Sequence, residues 1–317
     1  SPDLRYEIEN GTVVARDYPT LAMLSAFYQF ESVIVALDAL TDLSPEDLTN
    51  DGPLEIFFEP SIVVEGSVDA TQTLKFNAFY LPDTEQFGLA QRSPIEALPL
   101  AMSPVVIAHE FGHRVFDRAF FDDSRDGCAA DANDPLFPGR LAVEYAISGL
   151  NEGYADFLSF SLHGSTNPLG EYAFAAERNF RDTAFSYDDY AIACDGLFYC
   201  IGTLFARSLY ETLEESGLDP TLLEDRQTFS REVFRALETT PSRMADAAQL
   251  LPAPSSAVLR CERSASPAMD YDGQVVGAFL HAFVRGMPAE RQAPLCERLS
   301  ANYGSAGFPE EARAACP

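Results

Sequence analysis

Two histidines and one glutamate stand together in the motif His-Glu-Phe-Gly-His, as His109, Glu110 and His113. On a helix, residues four apart share one face about one turn from each other, so both imidazoles can bind one Zn2+. The intervening glutamate can reach a water on that metal, an arrangement suited to hydrolysis. The alternative is a chance match on an ordinary amphipathic helix. Apolar flanks, and half of the chain's four histidines in one motif, favour the metal site.

A catalytic zinc needs a third protein ligand and one open position for water. The segment SGLNEGYADFLSF supplies Glu152 as the predicted ligand. Asp156 follows four residues later on the same helix face, where it can accept a hydrogen bond from the free ring nitrogen of a ligand histidine. Alone, the two acids would be typical of a solvated helix surface. Their apolar neighbours and the preceding motif favour a shared metal site.

HEFGH followed by NEGYADFLS resembles the gluzincins, the thermolysin-like and fungalysin-like zinc metallopeptidases. The resemblance implies zinc ligands at His109, His113 and Glu152. It also implies a general base at Glu110 and a supporting carboxylate at Asp156. The similarity extends motif by motif from about residue 75 to residue 210, and beyond that the chain matches only in its helical pattern.

Two further segments resemble the substrate-binding parts of this family. The sequence Asn-Ala-Phe-Tyr, beginning at Asn77 and Ala78, is similar to the edge strand that pairs with an extended peptide. The alternative is a buried strand that starts with a polar residue. Arg178 resembles the arginine that holds a substrate carbonyl, and Asp182 fits the same pattern. Arg181 is the competing candidate, and either arginine could instead form a surface ion pair.

The run from 199 to 210 resembles the family helix that begins with a transition-state-stabilising histidine, but no histidine stands there. The oxyanion formed during peptide hydrolysis still requires a hydrogen-bond donor. Tyr145 and Tyr199 are the candidate donors, and the alternative is that both are packed aromatics. Of the remaining histidines, His163 is expected at the surface and His281 in the core or a subsite.

The chain carries a formal charge of -28, from 49 acidic and 21 Lys and Arg residues. Such a charge repels phosphate backbones, which excludes nucleic acid as a favoured partner. Clustered aspartates in an extracellular loop can bind Ca2+, although they are also typical of a solvated surface. The candidate calcium ligands are Asp122, Asp123, Asp126, Asp131 and Asp134.

Six cysteines without a CxxC pair favour disulfides in an oxidising compartment. Cys194 with Cys200, and Cys296 with Cys316, could close short loops and leave Cys128 for Cys261, although the sequence alone allows about 15 pairings. We therefore expect a secreted or cell-envelope protein. No signal peptide precedes Ser1, and no apolar run of bilayer length is expected, so the prediction is a processed monomer without a transmembrane segment.

The expected fold is α+β and thermolysin-like. An N-terminal lobe (1–120) would contain a small mixed sheet, an edge strand and the HExxH helix, and a mainly helical C-terminal lobe (121–317) would carry the third ligand. Apolar periodicity predicts helices, and Val, Ile and Phe-rich runs predict strands. Helices are predicted at 19–41, 104–120, 144–162, 200–216, 228–240 and 271–287, strands between 53 and 80, and an ordered loop at 121–140.

The expected function is that of a secreted zinc metalloendopeptidase acting on peptides or proteins. The missing histidine leaves open a zinc-containing binding module without peptidase activity. A narrow-specificity exopeptidase is the third alternative.

Overall fold

The computed structural model describes residues 4–41, 43–49, 52–58, 76–81, 84–91, 100–121, 138–168, 170, 178–181, 185–187, 199–247, 271–313 and 316. Within these residues the protein is mainly helical with two small sheets. The five aspartates predicted to bind calcium lie outside them, as does Asp182.

The N-terminal hairpin consists of β1 (Tyr6–Glu9) and β2 (Thr12–Ala15). Asn10 and Gly11 connect the strands with φ angles of 52° and 81°. Positive φ at both turn positions suits the right-handed twist of a hairpin, which is why Asn-Gly is favoured there. The sequence analysis did not predict this hairpin.

The first long helix, α1 (Tyr18–Leu40), confirms the helix predicted at 19–41. Asp17 caps it by accepting a hydrogen bond from the Thr20 backbone N–H at 2.9 Å. By length and composition alone α1 could cross a membrane, and 33% of its most apolar window is buried within the protein. One side packs in the core, as the buried Phe30 and Leu37 show. Core helices share these features, so this finding leaves the predicted absence of a transmembrane segment untested.

A three-stranded sheet contains β3 (Ile56–Phe58), β4 (Phe76–Leu81) and β5 (Gln86–Gln91) in the order β3-β5-β4. The central strand β5 runs parallel to β3 and antiparallel to β4, so the sheet is mixed, as expected. β4 contains Asn77 and Ala78, which pair with Ala90 and Leu89 on one side. Its other side has no strand partner among the described residues.

One of the remaining helices precedes the three-stranded sheet in the sequence, and the others follow it. They are α2 (Pro45–Thr49), which precedes β4, then α3 (Pro104–Phe121), α4 (Pro138–His163), α5 (Tyr199–Glu215), α6 (Leu223–Ala247), α7 (Tyr271–Gly286), α8 (Ala289–Gly307) and α9 (Glu310–Arg313). The four predicted helices from 144 onward are confirmed, whereas α8 was not predicted.

The loop predicted at 121–140 is wrong at its C-terminal end. α4 begins at Pro138, six residues before the predicted start at 144. Proline is well tolerated in a first helical turn because its missing N–H would have no partner there. The helix start was missed because the segment before it is rich in Asp, Gly and Pro, a composition typical of loops. Most of the remaining loop lies outside the described residues.

One predicted short closure is present, because Cys296 in α8 forms a disulfide with Cys316 near the C-terminus. Cys200 in α5 is also disulfide-bonded, and its partner lies outside the described residues. The pairs Cys194–Cys200 and Cys128–Cys261 therefore stay predictions.

Glycines allow α3, α4 and α5 to pack at backbone distance. A Cβ added to Gly112 would collide with Ala155 on α4. On the opposite side of α4, a Cβ at Gly153 would collide with the Gly202 carbonyl of α5. Ser159 adds a hydrogen bond from its hydroxyl to the Val105 carbonyl of α3 at 2.7 Å. This close approach fixes the positions of the side chains that α3 and α4 direct at each other.

Candidate metal centre

Two histidines of α3 and one glutamate of α4 form a compact group. His109 Nε2 lies 3.3 Å from Glu152 Oε2, and His113 Nε2 lies 3.7 Å from Glu152 Oε1. One ligand atom from each residue can be chosen so that all lie within 4.8 Å of one another. Ligands about 2.0–2.1 Å from a tetrahedral zinc stand about 3.3 Å apart, so small side-chain adjustments would bring all three onto one ion.

The types and burial of these donors suit zinc. Two imidazole nitrogens and one carboxylate oxygen are typical of a catalytic zinc site, whereas calcium and magnesium prefer oxygen ligands alone. His109 is 3% exposed, and the other two side chains are largely buried. The HExxH motif and Glu152 therefore meet in one group that could hold a metal ion, and its identity as zinc stays a prediction.

Asp156 lies behind the group, in contact with His109. Its Oδ1 is 2.9 Å from His109 Nδ1, the ring nitrogen that does not face Glu152. Burial lowers the pKa of His109, but Asp156 and Glu152 outweigh it and raise the pKa to about 9 in the metal-free chain. With Nδ1 beside Asp156, Nε2 is the nitrogen that faces Glu152 and is left to bind a metal.

His113 has a different supporting residue, which the sequence analysis missed. Its Nδ1 lies 3.0 Å from the Asn151 amide oxygen, which can accept a hydrogen bond from that nitrogen. Burial lowers the pKa of His113 to about 4, so the ring is neutral near pH 7. A neutral imidazole with Nδ1–H held by Asn151 presents Nε2 as a metal ligand. No sequence signal identified this contact, because an asparagine directly before Glu152 is equally typical of a solvated helix surface.

We expect Asn151→Ala to weaken zinc binding about 10-fold or more, because removal of a residue that orients a metal ligand typically costs 10–100-fold in affinity. The zinc dissociation constant would be measured by competition with a chromophoric chelator. Ser148→Ala changes an exposed residue of the same helix and serves as the control. Equal zinc affinity in both variants would contradict a supporting role for Asn151.

Arg178 lies beside the metal group, the cluster formed by His109, His113 and Glu152. It is buried against the carboxylates of Glu152 and Asp156. Its Nη2 is 2.8 Å from Glu152 Oε2 and 2.8 Å from Asp156 Oδ1, and its Nε is 3.1 Å from Asp156 Oδ2. Burial alone would raise the pKa of Glu152, but Arg178 and the two histidines lower it well below its usual range. Glu152 is therefore held as a carboxylate, the form that binds a metal.

The competing arginine is located elsewhere. Arg181 is exposed, lines a separate cavity and makes no ion pair with a described acid. Arg178 is thus the arginine at the metal group, although its predicted contact with a substrate carbonyl stays a prediction.

Glu110 is buried beside the ligands without being one of them. Its side chain is 4% exposed, and Oε2 has no hydrogen-bond partner among the described residues. Burial raises the pKa of this carboxyl to about 7. Buried carboxylate oxygens are rarely left without a partner, so this one indicates a site for a missing hydrogen-bonding group such as water. This is the environment expected of a base that accepts a proton near neutral pH.

Of the two candidate tyrosines, the structure describes the side chain of Tyr199 but not that of Tyr145. Tyr199 begins α5 and is half-buried, with its ring centroid 5.0 Å from the Arg178 guanidinium carbon. Burial, followed by Glu152, raises its pKa, so its phenol stays protonated and can donate a hydrogen bond. Tyr145 lies on α4, and its side chain is outside the described residues, as is that of Asn77.

The other two histidines lie away from the metal group. His163 is exposed at the C-terminal end of α4, as predicted. His281 on α7 is half-buried, with Nδ1 3.0 Å from the Ala312 carbonyl. Its hydrogen bond is of the kind expected for a core histidine.

A comparison with protein families, with curated proteins and with solved structures found no match to this chain. The gluzincin resemblance therefore rests on the sequence motifs alone.

Proposed function

We propose that the protein is a secreted zinc metalloendopeptidase of the gluzincin type. The observation that carries the proposal is the approach of His109, His113 and Glu152 to one another beside Glu110, whose buried Oε2 contacts no hydrogen-bond partner in the described part of the chain. Each member of the group has a supporting contact, from Asp156, Asn151 or Arg178.

A zinc ion held by His109, His113 and Glu152 would supply a Lewis acid able to activate water and polarise a substrate carbonyl. Glu110 accepts a proton from the attacking water and later delivers it to the leaving amine. Asp156 and Asn151 keep the ring nitrogens of His109 and His113 turned toward the metal position. Arg178 keeps Glu152 ionised and adds positive charge beside the reacting group.

Substrate binding is assigned to β4. The side of this strand that lacks a described strand partner can offer the backbone groups of Asn77 and Ala78 to an extended peptide. Binding along an open edge suits cleavage within a chain. The predicted Ca2+ site, the cell-envelope or extracellular location and the monomeric state belong to the same proposal.

The direct test measures zinc content and hydrolysis of casein and of fluorogenic peptides blocked at both ends. We expect one zinc per chain, with cleavage that ortho-phenanthroline abolishes, the non-chelating meta isomer leaves intact, and added Zn2+ restores. Cleavage only of peptides with a free terminus would indicate an exopeptidase. Stoichiometric zinc without any cleavage would indicate a binding module.

Tyr199 is the proposed hydrogen-bond donor to the oxyanion. We expect Tyr199→Phe to lower kcat by about 100-fold with little change in KM, because a donor aimed at developing charge acts mainly in the transition state. Tyr28→Phe alters an exposed tyrosine of α1 and is the control. An unchanged kcat in Tyr199→Phe would remove Tyr199 from the mechanism.

A further inference from the structure

A cavity of about 360 Å3 lies at the C-terminal end of α4, eleven residues beyond Glu152. At the helical rise of about 1.5 Å per residue, this distance corresponds to roughly 16 Å along α4. Three side chains that can carry positive charge line the cavity, namely His163, Arg181 and Arg226, together with Phe160 and Tyr210. The cavity is therefore separate from the metal group and differs from it in charge.

Arg226 is held rigidly at the wall of this cavity. The residue is 7% exposed, and its guanidinium lies over the Phe160 ring. Nε donates to the Ser161 carbonyl at 3.1 Å, and Nη1 donates to the carbonyls of Pro220 and Thr221 at 3.0 and 2.9 Å. Nη2 donates to no described residue, and Arg226 is among the residues that line the cavity. This guanidinium therefore has a donor for an anion in the cavity.

Neither cavity arginine pairs with a described carboxylate. This is unusual for a chain with 49 acidic and 21 Lys and Arg residues. The buried Arg178, for comparison, contacts two carboxylates at 2.8 Å. A buried guanidinium without a counterion costs free energy, so an external anion would be stabilising.

Two acids close to Arg226 in the chain, Asp219 and Asp225, make hydrogen bonds elsewhere. Asp219 accepts hydrogen bonds from the backbone N–H and the hydroxyl of Thr221 at 2.8 and 2.7 Å. Asp225 accepts one from the Asp219 backbone N–H at 2.8 Å. Neither carboxylate lines the cavity, so they do not neutralise it from within.

Gly164 gives the guanidinium its space. It ends α4 at a φ of 77°, with its N–H donating to the Phe160 carbonyl at 2.7 Å. A Cβ at this position would lie 3.3 Å from Arg226 Nη1. Glycine therefore satisfies both the left-handed turn and the close approach.

We propose that this cavity binds a small tetrahedral oxyanion, sulfate or inorganic phosphate, between Arg226 and Arg181. Guanidinium groups bind oxyanions through paired, charge-assisted hydrogen bonds, and donors from separate elements suit an anion with more than two oxygens. Arg181 lies three residues after Arg178, so the bound anion would tie the segment at the metal group to α6. The site does not depend on the proposed peptidase activity.

The test is equilibrium dialysis with labelled sulfate at constant ionic strength, with chloride as the balancing anion. We expect one saturable site per chain, and competition by inorganic phosphate but not by acetate. Sulfate is the primary probe because phosphate can also bind zinc. Counting bound sulfate separates binding from the general stabilisation of proteins by sulfate.

Three variants locate the site. Arg181→Gln should weaken sulfate binding about 10-fold or more, since a lost hydrogen bond to a charged group costs about 1.5–3 kcal/mol. Arg226→Lys should weaken it as well, while Arg231→Gln, at an exposed arginine of α6, should bind as the wild type does. Absence of saturable binding in the wild type, or equal binding in Arg181→Gln, would overturn the proposal. Because Arg181 is exposed, its variant tests the site even if Arg226→Lys fails to fold.

Discussion

Replacing Glu110 with glutamine is expected to abolish peptide hydrolysis while leaving zinc content unchanged. The amide has almost the same shape as the carboxylate but cannot accept a proton from water. General-base catalysis contributes about 100- to 10,000-fold to rate, so kcat should fall by at least about 100-fold. Zinc should stay bound because Glu110 is outside the group formed by His109, His113 and Glu152.

The measurement pairs kcat on a fluorogenic peptide with metal analysis of the same samples. Glu31→Gln, at an exposed position of α1, makes the same chemical change away from the site and should retain full activity. Full activity in Glu110→Gln would refute the general-base assignment. Loss of zinc along with activity would show that Glu110 supports the metal group instead.

The main parts of the metal group could be predicted because they depend on helical periodicity. Two histidines four apart must share a helix face, and Glu152 and Asp156 do so for the same reason. Their meeting across α3 and α4 depends on Gly112 and Ala155, which allow the two helices to touch. That contact joins residues far apart in the sequence, so helical periodicity does not predict it. The meeting of the two helices was expected from the family resemblance.

Asn151 and Arg178 show where sequence analysis was insufficient. An asparagine beside a glutamate has no pattern that distinguishes a histidine partner from solvent. Arg178 was predicted at the site, but its ion pairs with Glu152 and Asp156 join residues more than twenty positions apart. Such pairs depend on packing in three dimensions, which one sequence does not reveal.

The secondary structure was also predicted in part from the sequence. α3 has clear apolar periodicity and α1 is apolar over much of its length, and both were predicted. β5 was missed because its sequence QFGLAQ has polar ends, a glycine and no β-branched residue, although its centre is buried between β3 and β4. The missed hairpin did carry an Asn-Gly signal, at Asn10 and Gly11, with alternating side chains around it.

Replacing Glu152 with alanine is expected to remove both bound zinc and peptidase activity. This change removes one of three ligands and the carboxylate that Arg178 contacts at 2.8 Å. A two-histidine site beside a guanidinium repels the cation, so we expect purified Glu152→Ala to lose its zinc on dialysis and its activity with it. Wild type dialysed in parallel should retain both.

Asp156→Asn supplies the comparison that separates a ligand from its support. It leaves all three ligands in place and should weaken zinc by about 10–100-fold, the usual effect of altering a group behind a ligand histidine. Excess Zn2+ should therefore restore activity in Asp156→Asn but not in Glu152→Ala. If excess zinc restored both variants equally, Glu152 would not be a ligand. Because Arg178 contacts both acids, such a result would assign Glu152 to the same supporting network as Asp156.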